Sequence, residues 1–205
     1  GSAATAAKIK AQEAEQARAT KAQVEKQLEA ARQQEEQQRK AIDAAGHPAL
    51  FMVDTISSLA SVDYRHDEWQ VDVTVSGSQK GLMLPPGLGF NAVSEKALAA
   101  SKSNRLPRSY WDWQEMIKIN ATGFFPYTPA TNLLYGLKEA LAMLQEEGLD
   151  NVFARHQRLA AACRAAVRAW GLEVLCQNPA EQSPVLTGVL MPPSHDADRF
   201  RKITL

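Results

Sequence analysis

The chain has 205 residues, enough for one medium domain or two small ones, and its 23 basic and 23 acidic side chains leave no net charge. That balance excludes a protein built around a polyphosphate, so no nucleic-acid partner is expected. Cys163 and Cys176 are too few for a disulfide framework and are not spaced as metal ligands; no apolar run reaches the roughly 20 residues that span a bilayer, so no membrane partner is expected. Gly1-Ser2 reads as an expression scar. No secretory core follows it, and the next stretch is too acidic for a mitochondrial presequence, which points to the cytoplasm.

From about residue 3 to 45 there is neither proline nor glycine, and Ala, Gln, Glu, Lys and Arg dominate. These are strong helix formers. Opposite charges four residues apart recur at Lys21/Glu25, Arg32/Glu36, Glu35/Arg39 and Glu36/Lys40, and support one long exposed helix. Its apolar stripe is thin (Val24, Leu28 and Ala31 share a face), so a solitary helix is favoured over a coiled coil. Gly46 suits the helix C-cap and Pro48 stops continuation.

The composition then changes. Residues 50–54 form an apolar strand that ends in Asp54, and residues 55–67 suggest a short helix. The charges around Tyr64 and Trp69 read as a solvated surface turn. Val71, Val73 and Val75 alternate as a second strand, which runs into Ser76, Gly77, Ser78, Gln79 and Lys80. A lone lysine in such a loop is most often a solvated surface group. Lys80 differs because a carboxylate, Asp54, ends the preceding strand, and ligands of open α/β sheets sit beyond the carboxyl ends of strands.

Residues 88–94 read as a third strand and 95–101 as a helix. Residues 105–113 read as an aromatic, basic loop on the sheet edge, and 123–129 as a second rigid loop. Leu133, Leu134, Leu137, Leu141 and Leu144 form an amphipathic stripe that Gly148 ends. Asp150 or Asn151 is placed to cap the next helix, whose stripe takes in Val152, Phe153, Leu159, Cys163, Val167 and Trp170. Gly171 closes it. Residues 172–176 and 185–190 read as two strands, and 196–205 as the start of a last helix. The fold class is therefore α/β, a mostly parallel sheet with helices, preceded by one long helix.

Two of these segments resemble a known family. Val53-Asp54-Thr55-Ile56-Ser57-Ser58 and Ser76-Gly77-Ser78-Gln79-Lys80 resemble the aspartate and lysine segments of the class V, fold-type I pyridoxal-phosphate aminotransferases. Residues 77–90 and 118–132 resemble the serine–glyoxylate branch of that family, and the likeness runs from roughly Arg39 to Leu205. It implies three parts: a helix over 1–38, a partial cofactor-binding large domain over 39–150, and a connecting helix with the start of a small domain over 151–205.

By this resemblance Lys80 is the catalytic lysine, holding pyridoxal 5′-phosphate as an imine and shuttling a proton. Asp54 is the partner of the pyridine nitrogen, and Ser78 and Gln79 lie near the phosphate or the imine edge. Thr128 reaches the phosphate of a neighbouring subunit, which implies a homo-oligomer. Phe125 stands where the family often has tyrosine, with Tyr127 next to Thr128. The implied reaction is transamination between serine (or alanine) and glyoxylate, with amino-acid and 2-oxo-acid substrates. The family's phosphate loop and stacking ring come from upstream of the matched region, and its carboxylate-binding arginine from beyond Leu205. The 205 residues alone are therefore expected to be inactive. The alternative reading is a helix-mediated interaction or scaffold protein that carries an incomplete aminotransferase fold.

Overall fold

The computed structural model describes residues 36–204 without a break. Before them it describes Lys8, Ala11, Gln12, Glu15, Arg18, Ala19, Ala22, Lys26, Glu29, Ala30, Gln33 and Gln34. The chain forms two compact units, Gly1–Ala49 and Leu50–Leu205.

In the first unit every described residue up to 44 is helical (α1), and all but Arg39 and Ile42 are exposed. Two ion pairs brace its last turns, Lys40 to Glu36 at 2.5 Å and Arg39 to Asp43 at 3.5 Å. The other expected pairs and the Val24/Leu28/Ala31 stripe lie outside the described residues. Gly46, at φ 57°, ends the helix in a Schellman motif: Gly46 N–H donates to Asp43 and His47 N–H to Ile42.

The second unit is built on a three-stranded sheet in the order β1 (Met52–Asp54), β2 (Val73–Gly77), β3 (Gly89–Val93). β1 and β2 are parallel, with Asp54 opposite Val75, whereas β2 and β3 are antiparallel. The reason lies in the connection. Only the loop between Gly77 and Gly89 joins β2 to β3, too short for a crossover helix, and it returns the chain as a hairpin.

Asp72 ties this sheet together. It is 2 % exposed, and its carboxylate accepts the Phe51 N–H at 2.9 Å and the Ser94 hydroxyl at 2.8 Å, with the Lys96 ammonium at 3.5 Å. One side chain thus joins the approach to β1, the start of β2 and the N-cap of α2 (Glu95–Lys102).

The expected helix over residues 55–67 does not form. Successive turns replace it, with Ser58 and Leu59 N–H on Thr55 O, then Ser61 and Val62 N–H on Ser58 O. Ala60 at φ 62° breaks any helical run. The charged stretch that follows is docked rather than fully solvated: Tyr64 Oη and His66 Nδ1 both meet Thr74 Oγ1, at 2.5 and 2.7 Å, and Tyr64 stacks edge-on against Trp69. Arg65, Asp67 and Glu68 remain exposed.

α3 (Trp113–Asn120) follows the basic loop, and Trp113 Nε1 donates to Asn91 Oδ1 of β3, which pins that loop to the sheet edge. Then come α4 (Thr131–Glu147) and α5 (Leu149–Ala169), joined by Gly148 alone. The expected cap at Asp150 or Asn151 is not used. Gly148 at φ 81° ends one helix and begins the next, and Asn151 Nδ2 donates back to Glu147 O instead. The core lies where the two helices meet: Leu144 and Val152 pack on Leu82, with Leu59, Leu84, Phe90 and Leu137 around them. Burial of such side chains contributes about 1.5–3 kcal/mol each.

The last two strands are shorter than expected, β4 (Glu173–Val174) and β5 (Val189–Leu190), and pair antiparallel. Residues 185–186 cannot extend β5 because the Ser183 hydroxyl takes both of their N–H groups at 3.2 Å. A 3-10 turn, Pro179–Glu181, lies between the strands, and α6 (Ala197–Thr204) follows them.

Candidate functional site

The core places Lys80. Leu82 and Leu84 are buried or half-buried just beyond it, and the Met83 N–H closes a turn onto Lys80 O at 2.9 Å. Gly81 is where this turn touches the loop after β1. A Cβ there would meet Leu59 O at 2.1 Å and Ser61 Oγ at 2.6 Å, so no side chain fits. The loop is closed from inside by Ser78, which is fully buried. Its hydroxyl donates to Pro85 O at 2.7 Å and accepts the Leu88 N–H at 3.2 Å. Ser78 is thus engaged by the backbone and shapes the loop. Gln79 is exposed, and its amide folds back over Gly77.

Lys80 is exposed and lines an open cleft of about 560 Å³. Ser57, Ser61 and Gly81 lie on one side, Arg155, His156 and Cys163 of α5 on another, and residues 184–187 form its lip. No carboxylate pairs with Lys80 among the described residues. Asp54 is the last residue of β1, exposed, with Oδ1 accepting the Ile56 N–H at 2.8 Å. Asp54 and Lys80 thus follow the carboxyl ends of adjacent parallel strands, although Asp54 does not line the cleft. Thr128 sits apart in the exposed loop before α4, beside Tyr127, which bonds Ser109 and Glu115.

Arg155 is spoken for. Its guanidinium makes two hydrogen bonds to the Glu147 carboxylate, at 2.7 and 2.8 Å, and this holds Glu147 below the usual carboxylate range. Burial and then the Arg155 charge push the His156 imidazole below its ordinary value, so at neutral pH it faces the cleft uncharged. His156, Ser57 and Ser61 escaped the sequence reading. A signal existed for one of them: Val152, His156, Ala160, Arg164 and Val167 share a helical face, and two of its members are polar. The residues buried on α5 are Val152, Ala160, Arg164 and Val167, while Leu159, Cys163 and Trp170 of the expected stripe are exposed.

Among the described residues no cluster of His, Cys, Asp or Glu could hold a metal ion, and no helix is long and apolar enough to cross a membrane. Compared with known proteins, residues 32–202 match the model of the class-V aminotransferases. The chain is 53 % identical over 169 residues to a serine–glyoxylate aminotransferase of Methylorubrum extorquens, covering 80 % of this chain and 42 % of that protein. It is 55 % identical over 166 residues to one of Hyphomicrobium methylovorum, covering 80 % and 41 %. The solved structure of an alanine–glyoxylate aminotransferase from Nostoc sp. is similar at TM-score 0.72 and 30 % identity, over 80 % of this chain and 43 % of that one. The chain thus spans about two-fifths of the length of these relatives.

Proposed function

Because the chain belongs to the class-V aminotransferase family, a pyridoxal-phosphate-dependent family, we propose that it carries the lysine half of a transaminase site working between serine (or alanine) and glyoxylate. One observation carries this reading. An exposed lysine amine, unpaired among the described residues, opens into a cleft just past the strand next to the one that ends in Asp54.

The donor set fits pyridoxal 5′-phosphate: one amine in the cleft that can bond its aldehyde carbon, and one accessible carboxylate at the neighbouring strand end. When bound, the cofactor supplies a carbonyl carbon that takes the amino group and a protonated ring that draws electrons from the donor's Cα. The chain's own residues do the rest. Once the donor's amino group has displaced it, Lys80 Nζ would take the proton from the donor Cα, and in the return half of the reaction it would deliver a proton to the Cα of the acceptor. Asp54 keeps the ring nitrogen protonated, since an anion favours the charged form. Ser78 holds the loop that aims Lys80. By the family resemblance Thr128 would reach the phosphate held by a second copy of the chain.

The test is chemical trapping. The protein is incubated with pyridoxal 5′-phosphate, reduced with borohydride, digested and mapped by mass. A pyridoxyl label concentrated on Lys80 and absent in Lys80→Ala is expected; a label spread evenly over surface lysines overturns the reading.

α1 supports a second reading. It lies in a compact unit of its own and is almost wholly exposed where described, as a helix that engages another protein would be. Under that reading Lys80 is no more readily labelled than Lys102 or Lys138.

A further inference from the structure

Arg164 is buried at 8 % exposure, on the face of α5 that packs into the fold, and no carboxylate pairs with it among the described residues. Its guanidinium Nη1 donates to Ser183 O at 3.1 Å. Taking a cation out of water is costly, so much so that even buried ion pairs are often replaced by apolar side chains without loss, and here no counter-ion offsets the cost. Stability alone does not account for an arginine here.

What the bond reaches is the edge of the cleft. Ser183 precedes residues 184–187, which line the cleft together with Lys80. The Ser183 hydroxyl accepts the N–H groups of Val185 and Leu186, so the position of Ser183 sets the backbone of both. The base of the segment is secured separately, by Gln182 Nε2 on Cys176 O and Leu175 N–H on Gly188 O. Among the described hydrogen bonds, Arg164 to Ser183 is the one that ties the lip to α5.

We propose that Arg164 is a positioning residue that holds the lip of residues 183–187 against α5 and so sets the mouth of the Lys80 cleft. What the cleft holds rests on the pyridoxal-phosphate reading; the strap itself does not.

The experiment uses the full chain with Arg164→Met, which keeps the stem, and Arg164→Lys, which keeps the charge. Hydrogen exchange is read at the Val185 and Leu186 amides, the unfolding midpoint is followed in urea, and trapping of pyridoxal 5′-phosphate at Lys80 is titrated. In Arg164→Met the two lip amides should exchange at least tenfold faster, while the midpoint stays level or rises. Half-maximal trapping should need 5- to 10-fold more cofactor, and Arg164→Lys should recover part of both losses. Unchanged lip exchange, or faster exchange throughout the protein with a fallen midpoint, overturns the strap. Absence of trapping in the unaltered protein counts against the cofactor reading, and the exchange result still decides the strap.

Discussion

The Ser94 hydroxyl donates to Asp72 Oδ1 at 2.8 Å while accepting the Ala97 N–H at 3.1 Å, so a single oxygen links a buried carboxylate to the first turn of α2. Replacing Asp72 by Ala strands the Phe51 N–H and the Ser94 hydroxyl together. A loss of about 3 kcal/mol is expected from urea unfolding, because unpaired buried groups cost about 1–3 kcal/mol each. Asp72→Asn keeps an acceptor and should lose about half as much. A loss below 1 kcal/mol for Asp72→Ala would show that water or relaxation takes over the role.

The same residue sets a pH dependence. Burial pushes the Asp72 carboxyl up, but the bonds from Phe51 and Ser94 and the Lys96 ammonium outweigh it and hold it below the usual value. A depressed carboxylate contributes stability that is fully present above the unfolded value, about pH 3.9, and is lost as pH falls through the folded one. Stability should therefore fall more steeply between pH 5 and 3 in the unaltered protein than in Asp72→Asn. Parallel curves would refute the assignment.

Gly81→Ala should destabilise by about 2 kcal/mol or more, within the usual cost of overpacking, because the new methyl meets the Leu59 carbonyl and not a movable side-chain end. Relief has to part the Lys80 turn from the Leu59–Ser61 loop, and both line or border the cleft, so reactivity at Lys80 should change with it. A fully stable Gly81→Ala protein would mean that the two loops part freely.

Glu147→Gln should move the His156 titration to lower pH, followed by NMR and assigned with His156→Gln. Burial and Arg155 already press it down, and Glu147 is the group that opposes them. Stability should change little, since both partners of the Arg155 pair are roughly one-third exposed and screened by solvent. An upward or absent shift would contradict this balance of charges.

A polypeptide of these 205 residues, supplied with pyridoxal 5′-phosphate, serine and glyoxylate, should form no hydroxypyruvate above the Lys80→Ala background. Arg155, the guanidinium on the cleft wall, is committed to Glu147. Among the described residues that line the cleft, no arginine is therefore left for a substrate carboxylate, a charge-assisted contact worth about 1.5–3 kcal/mol together with the orientation it gives. Turnover that vanishes in Lys80→Ala would show that the site is complete.

The strands and the two polar groups after them were legible because alternating valines and a strand-ending carboxylate are local signals. Asp72 was not, since its three partners come from Phe51, Ser94 and Lys96, which only the folded sheet brings together. The buried face of α5 misled for a different reason. Its large apolar residues Leu159 and Trp170 point outward, while small Ala160 and the long Arg164 point in. Side-chain size and hydropathy ranked those positions the wrong way. A glycine after an amphipathic stripe signals a helix end, but nothing local in the sequence marks Gly148 as the start of the next helix as well.

From that joint α5 is a long arm. α5 extends 21 residues from it, about 31 Å, so a swing of about 10° at Gly148 would carry the far end of the helix about 5 Å. Any residue with a Cβ is strained at φ 81°, by about 1–2 kcal/mol. Substitutions at Gly148 should therefore alter the width of a cleft that this residue does not line, and would register as changed ligand affinity with every cleft side chain intact.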